Sequence, residues 1–146
     1  MAVTILIVDD NVQFRTLLRE IVVEEPDLHV VGEAADGAEA MQLTKELRPD
    51  IILLDLVMPR VNGLEVLRRV KAERPEIKVI VVTVHDEDAY RQAAVTRGAD
   101  AFLLKKTLGT VLLPTIQRLR GSLAPPQASQ DNAQPDDKRC PCRETS

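Results

Sequence analysis

Aromatic side chains make up only 2% of this 146-residue sequence: Phe14, Tyr90 and Phe102, with no tryptophan. The core must therefore be aliphatic, and no stacking platform for the bases of single-stranded nucleic acid is on offer. Cysteine is confined to Cys140 and Cys142 near the C-terminus. These two cannot staple a core, they lack the further ligands a metal site needs, and nothing demands an oxidising compartment. Long hydrophobic runs are missing as well. Val3–Val8 and Ile51–Leu54 fall far short of the roughly 18 residues a membrane span requires. The N-terminus has no basic segment and runs straight into Asp9-Asp10, so no signal peptide is expected and a cytoplasmic location is. Nor is there an excess of basic charge: 19 Lys and Arg stand against 23 Asp and Glu, for a net charge of −4. Without a basic stripe, direct nucleic-acid binding by this chain is not expected. Glycine-rich phosphate loops are absent too, since neither G-x-G-x-x-G nor G-x-x-x-x-G-K occurs.

What is present is a globular composition, 45% hydrophobic and 29% charged. The length suits one domain plus a tail. Residues 1–120 read as the domain. Gly121–Ser146 holds four of the nine prolines and one large aliphatic, Leu123, too little apolar surface to offset the entropy of ordering it. It reads as a low-complexity C-terminal tail.

Within residues 3–120 two periodicities alternate. Continuous aliphatic or β-branched runs fall at Val3–Val8, Leu28–Glu33, Ile51–Leu54, Lys78–Thr83 and Ala101–Leu104, the pattern of strands buried on both faces. Helical spacing fills the intervals at Asn11–Glu24, Asp36–Leu47, Gly63–Glu73, Glu87–Thr96 and Val111–Leu119. Asp36 can cap the second helix with Glu39 at its third position, and Gly98 closes the fourth. Pro114 is expected in the first turn of the fifth helix, the one place a helix tolerates it. The sum is an α/β protein: a (βα)5 doubly wound parallel sheet, flavodoxin-like, with strand order 2-1-3-4-5. Such sheets bind ligands outside the carboxyl ends of their strands.

At those ends stand Asp9-Asp10, Asp55, Thr83 and Lys105. Two carboxylates about 5 Å apart repel by about 3 kcal/mol at an effective dielectric of 20. Three mutual pairs exceed what one lysine offsets, so the crevice calls for a protonated carboxylate or a divalent cation. An oxygen-only donor set favours Mg2+ or Mn2+. A hard cation beside carboxylates, a hydroxyl and an ammonium suits a phosphoryl group held without a glycine loop.

Four stretches then carry a resemblance: ILIVDDN at Ile5–Asn11, PDIILLDLVMPRVNGLEVL at Pro49–Leu67, VIVVTVHDED at Val79–Asp88 and RGADAFLLKKT at Arg97–Thr107. Together they resemble the receiver domain of a two-component response regulator. The resemblance implies that Asp55 is the phosphoacceptor and that Asp10 and Asp9 hold Mg2+, directly and through water. The backbone carbonyl of Val57 would complete the metal ligands. Lys105 would pair with phosphoryl oxygens, Thr83 would shift toward them, and Phe102 would change rotamer with that shift. The implied phosphodonor is a sensor histidine kinase or a histidine phosphotransfer protein. The implied output is a downstream protein target or a phosphorylation-dependent homodimer. Val57 and His85, two residues after the phosphoacceptor and the switch threonine, would flank the path of hydrolytic water.

Some positions depart from the family pattern. Lys106 replaces the proline that commonly follows the lysine, so a cis bond there is not expected. Val84 stands where the family usually has a small residue, and Asn62 where many members have Asp. Two other functions compete. The chain could be the receiver half of a longer DNA-binding regulator, which the LLKKT stretch at Leu103–Thr107 favours. An Mg2+-dependent phosphohydrolase with an aspartate nucleophile would need an acid/base two residues on, where Val57 cannot transfer protons. The expectation is therefore a signalling domain rather than an enzyme.

Overall fold

The computed structural model describes residues 2–56, 62–84 and 88–121. The expected backbone Val57 carbonyl, His85 and the proposed tail beyond Gly121 lie outside them. Five strands, β1 (Val3–Val8), β2 (Leu28–Ala34), β3 (Ile51–Leu54), β4 (Lys78–Thr83) and β5 (Ala101–Leu104), alternate with five helices. These are α1 (Val12–Val22), α2 (Gly37–Leu47), α3 (Gly63–Glu73), α4 (Asp88–Thr96) and α5 (Leu108–Arg120). All strand pairs are parallel, as the alternation predicts, and the order β2-β1-β3-β4-β5 is the flavodoxin-like one expected.

The sheet separates two aliphatic layers. Leu6, Val8, Ile52, Leu54, Val79 and Val81 meet Met41, Leu67 and Val70 of α2 and α3 on one side. Ile5, Ile7, Leu53, Ile80 and Val82 meet Leu18 of α1 and Leu112 and Ile116 of α5 on the other. This period-two sorting explains why the central strands read as continuous aliphatic runs. Side-chain caps start three helices, at Asp36 as expected and at Asn11 and Asn62 as well: Asn11 Oδ1 accepts from Phe14 N–H, Asp36 Oδ1 from Glu39 N–H, and Asn62 Oδ1 from Leu64 N–H.

Two expectations need correction. The fifth helix starts three residues earlier than Val111, preceded by a 3-10 turn at Lys105–Thr107. Pro114 therefore sits inside it rather than in its first turn. Pro114 lacks the N–H that would donate to the Thr110 carbonyl, and both residues are exposed, so water can reach that carbonyl. In α1, Val12 and Leu17 belong to the helical spacing but are 60% and 44% exposed, and Leu18 and Val22 alone are buried. The helix turns a narrower stripe to the sheet than its apolar count suggests.

Candidate functional site

Register builds the site. Val8 of β1 pairs with Leu54 of β3, and Asp55 N–H donates to the Val8 carbonyl at 2.9 Å. The next residues, Asp9 and Asp55, therefore emerge side by side. Alternation from Ile7 and Leu53 aims both toward the α1–α5 layer. On β5, Leu103 packs in that layer, so Lys105, two residues on, leaves the sheet on the same side.

The result is a group of three carboxylates. One oxygen each from Asp9, Asp10 and Asp55 can be chosen so that all lie within 4.8 Å of one another. Asp9 is 1% exposed and Asp55 6%, whereas Asp10 is exposed, so the group opens to solvent through Asp10. Lys105 Nζ lies 2.8 Å from Asp9 Oδ2 and 3.7 Å from Asp55 Oδ2. Its ammonium is nearer Asp9 and offsets one charge of three.

Asp9 is fixed from several directions. Its N–H donates to the Ala34 carbonyl at 3.0 Å. Its Oδ1 accepts from Asn11 N–H at 2.8 Å. The Arg15 guanidinium donates to its backbone carbonyl at 2.5 Å while Arg15 Nε pairs with Glu33 at 3.1 Å. Arg19 pairs with the same Glu33. A buried carboxylate is tolerable only when its oxygens are bonded or paired, as these are.

Gly63 lets α3 close on the end of β3. A Cβ there would meet Leu56 Cα at 2.5 Å and the Asp55 carbonyl oxygen at 2.6 Å. Without one, Gly63 N–H reaches the Leu56 carbonyl at 2.9 Å, directly behind Asp55.

Thr83 ends β4 wholly buried. Leu54 pairs with Val81, which sets Thr83 one strand over from Leu56 in level. Phe102 faces the other layer, packing half-buried against it, and the Arg91 guanidinium lies over its ring at 4.6 Å. Val84, the residue after Thr83, is 68% exposed and stands largely in solvent. No peptide bond among the described residues is cis. Sequence reasoning missed two site residues, Arg15 and Phe14, whose ring centroid lies 4.1 Å from Lys105 Nζ. Phe14 left a signal: one of only three aromatics, it stands three residues after a helix cap.

A parallel sheet with acidic residues at two adjacent strand ends and a lysine at a third is the geometry on which the comparisons bear. The model of the response regulator receiver domain matches residues 5–117. This chain belongs to the response regulator receiver domain family. As a receiver domain it is 35% identical over 115 residues to the transcriptional regulatory protein DegU of Brevibacillus brevis, covering 79% of this chain and 49% of that protein. It is 42% identical over 104 residues to the nitrate/nitrite response regulator protein NarL of Escherichia coli, covering 70% and 47%. It thus spans about half the length of the curated relatives it matches. Among solved structures, the response regulator domain of Thermotoga maritima CheB superposes with a TM-score of 0.76 at 32% identity, covering 81% of this chain and 96% of that one. The receiver domain acts in two-component signalling, and no helix among its described residues is long and apolar enough to cross a membrane.

Proposed function

We propose that this receiver domain accepts a phosphoryl group on Asp55 from the phosphohistidine of a sensor histidine kinase or a histidine phosphotransfer protein. The supporting observation is the carboxylate triad within 4.8 Å with one ammonium against two of its members. Such a set carries more negative charge than Lys105 offsets, and all its donors are hard oxygens. That fits Mg2+ or Mn2+ held by Asp9, Asp10 and Asp55, with the Val57 carbonyl as a further ligand implied by family membership. Bound there, the cation would neutralise charge at the attacking carboxylate.

In the transfer, an Asp55 carboxylate oxygen attacks phosphorus and forms the acyl phosphate P–O bond. The phosphorus–nitrogen bond to the donor imidazole breaks, and that nitrogen keeps the electron pair. The product adds roughly two negative charges at Asp55. Lys105, 3.7 Å away, gains phosphoryl oxygens to pair with, and Thr83 gains an acceptor for its hydroxyl. Contacts made only in the phosphorylated state bias a two-state surface. Phe102, on the opposite layer from Asp55, would report that shift outward.

We take residues 1–120 as the receiver unit, 121–146 as its tail, and the cytoplasm as its location. Its chemistry is self-catalysed phosphoryl acceptance and slow loss rather than turnover of a substrate. The output is contact with a protein target or with a second copy. A second reading rests on one observation: the chain spans about half the length of DegU and NarL. In that reading it is the receiver half of a longer DNA-binding regulator, and this half does not itself contact nucleic acid. Exchange and sizing measurements on the protein with and without Mg2+ and beryllofluoride test the switch. A change in protection of α4, β5 and α5, or in oligomeric state, is expected, and identical behaviour in both states would overturn it.

A further inference from the structure

The residues around Lys105 support a step beyond that reading while resting on it. A lysine ammonium is a compact charge on a flexible four-carbon stem, with no planar fork to fix its direction. Here its direction is nonetheless defined. Asp9 takes it at 2.8 Å, Asp55 is 3.7 Å away, and the Phe14 ring centroid lies at 4.1 Å, well within the range of a cation–π contact. The ring is itself held. Phe14 N–H donates to the capping Asn11 at 3.0 Å, and the side chain packs half-buried on the α1–α5 layer. The lysine side chain is only 16% exposed, so the ring covers a face of the ammonium that water would otherwise solvate.

We propose that Phe14 is a positioning residue for phosphoryl acceptance, a rest on which the Lys105 ammonium sits beside Asp9 and from which it moves toward the phosphoryl oxygens on Asp55. An aromatic face suits this role. Its attraction holds across the ring face out to about 6 Å from the centroid, so an ammonium resting at 4.1 Å can shift between two oxygen partners while staying over the ring. A hydrogen-bonding side chain would compete with those oxygens, and an aliphatic one would leave the charge against apolar surface with nothing in return.

The test uses the full chain, Mg2+ and a small phosphodonor, with phosphorylation followed by intact mass in wild type, Phe14→Leu, Phe14→Tyr, Lys105→Ala and the double variant Phe14→Leu/Lys105→Ala. Phe14→Leu should be labelled roughly three- to tenfold more slowly than wild type, because a lysine without the ring occupies the productive position beside Asp55 less often, by the equivalent of one cation–π contact. Phe14→Tyr should restore most of the rate. Against Lys105→Ala, the added Phe14→Leu change should have little further effect, because the two act through one contact. A second readout needs neither phosphodonor nor cation. In proton spectra of the metal-free protein, the Lys105 ε-methylene signals should lie upfield in wild type and Phe14→Tyr and return to the ordinary lysine position in Phe14→Leu. Equal labelling rates in wild type and Phe14→Leu, or additive effects in the double variant, would overturn the role of Phe14 and leave Asp55 as acceptor untouched. Wild type that takes up no phosphoryl group would overturn the function proposed above, and the methylene shifts would still report whether the contact exists.

Discussion

Replacing Asp55 with asparagine should make the metal-free protein more stable. The side chain is 6% exposed, and its oxygens belong to a group whose members lie within 4.8 Å of one another. At an effective dielectric of 20 each such pair repels by about 3.5 kcal/mol. Asp55 takes part in two pairs. Its attraction to Lys105 at 3.7 Å returns about 4.5 kcal/mol on the same scale. Asp10 is exposed, so salt and water reduce its share well below the full figure. What remains, with the relief of a buried charge, is a stabilisation of about 1–2 kcal/mol, or about 3–8 °C in melting temperature for a domain of this size. Thermal and urea melts in a chelating buffer measure it. Adding Mg2+ should then reverse the order, because a ligand that binds only the folded state stabilises by about 2.7 kcal/mol at a hundred times its Kd. Asp55→Asn, with one ligand charge fewer, should gain less. A variant that melts at or below wild type in chelator, or that gains as much from Mg2+, would refute the reasoning that the triad is held together against its own repulsion and is relieved by a cation.

Gly63→Ala should destabilise the fold by about 1–3 kcal/mol in urea titrations, since the new methyl would meet Leu56 Cα at 2.5 Å and backbone cannot yield cheaply. An unchanged midpoint would show that α3 does not need its close approach to β3. Once phosphorylated, the protein should hold its phosphoryl group for many minutes, because Val57, two residues after Asp55, cannot orient an attacking water. Val57→Asn should shorten that lifetime by about tenfold, followed by intact mass, and no acceleration would show that this position does not govern hydrolysis.

The strands were the most legible part of the molecule. Val3–Val8, Ile51–Leu54, Lys78–Thr83 and Ala101–Leu104 have the same limits in sequence and structure. The central strands β1, β3 and β4 are almost wholly buried, so composition marks their ends, and half-buried β5 is bounded by Asp100 and Lys105. β2 runs one residue further, to Ala34, and skips a partner between Ile5 and Leu6. It is an edge strand with Val31 37% exposed, and its burial constrains its sequence less. The start of α5 was the least legible: Thr107 is a cap-type residue, but a lysine pair precedes it, Gly109 follows, and no acidic residue stands in the first turn. No side-chain cap bond opens that helix either. Asp9, Asp55 and Lys105 could be placed together from sequence because register alone juxtaposes residues that follow paired strands. The Phe14 and Arg15 contacts depend on the rotation of α1 about its axis. The apolar spacing does not settle that rotation, since Val12 and Leu17 share it and yet stand exposed.

Asp55 is the single acceptor proposed for the phosphoryl group. Intact mass after incubation with Mg2+ and a small phosphodonor should show a single added phosphoryl group on wild type, none in the presence of a chelator, and none on Asp55→Asn. A phosphoryl group retained by Asp55→Asn, or taken up by wild type without any divalent cation, would contradict it.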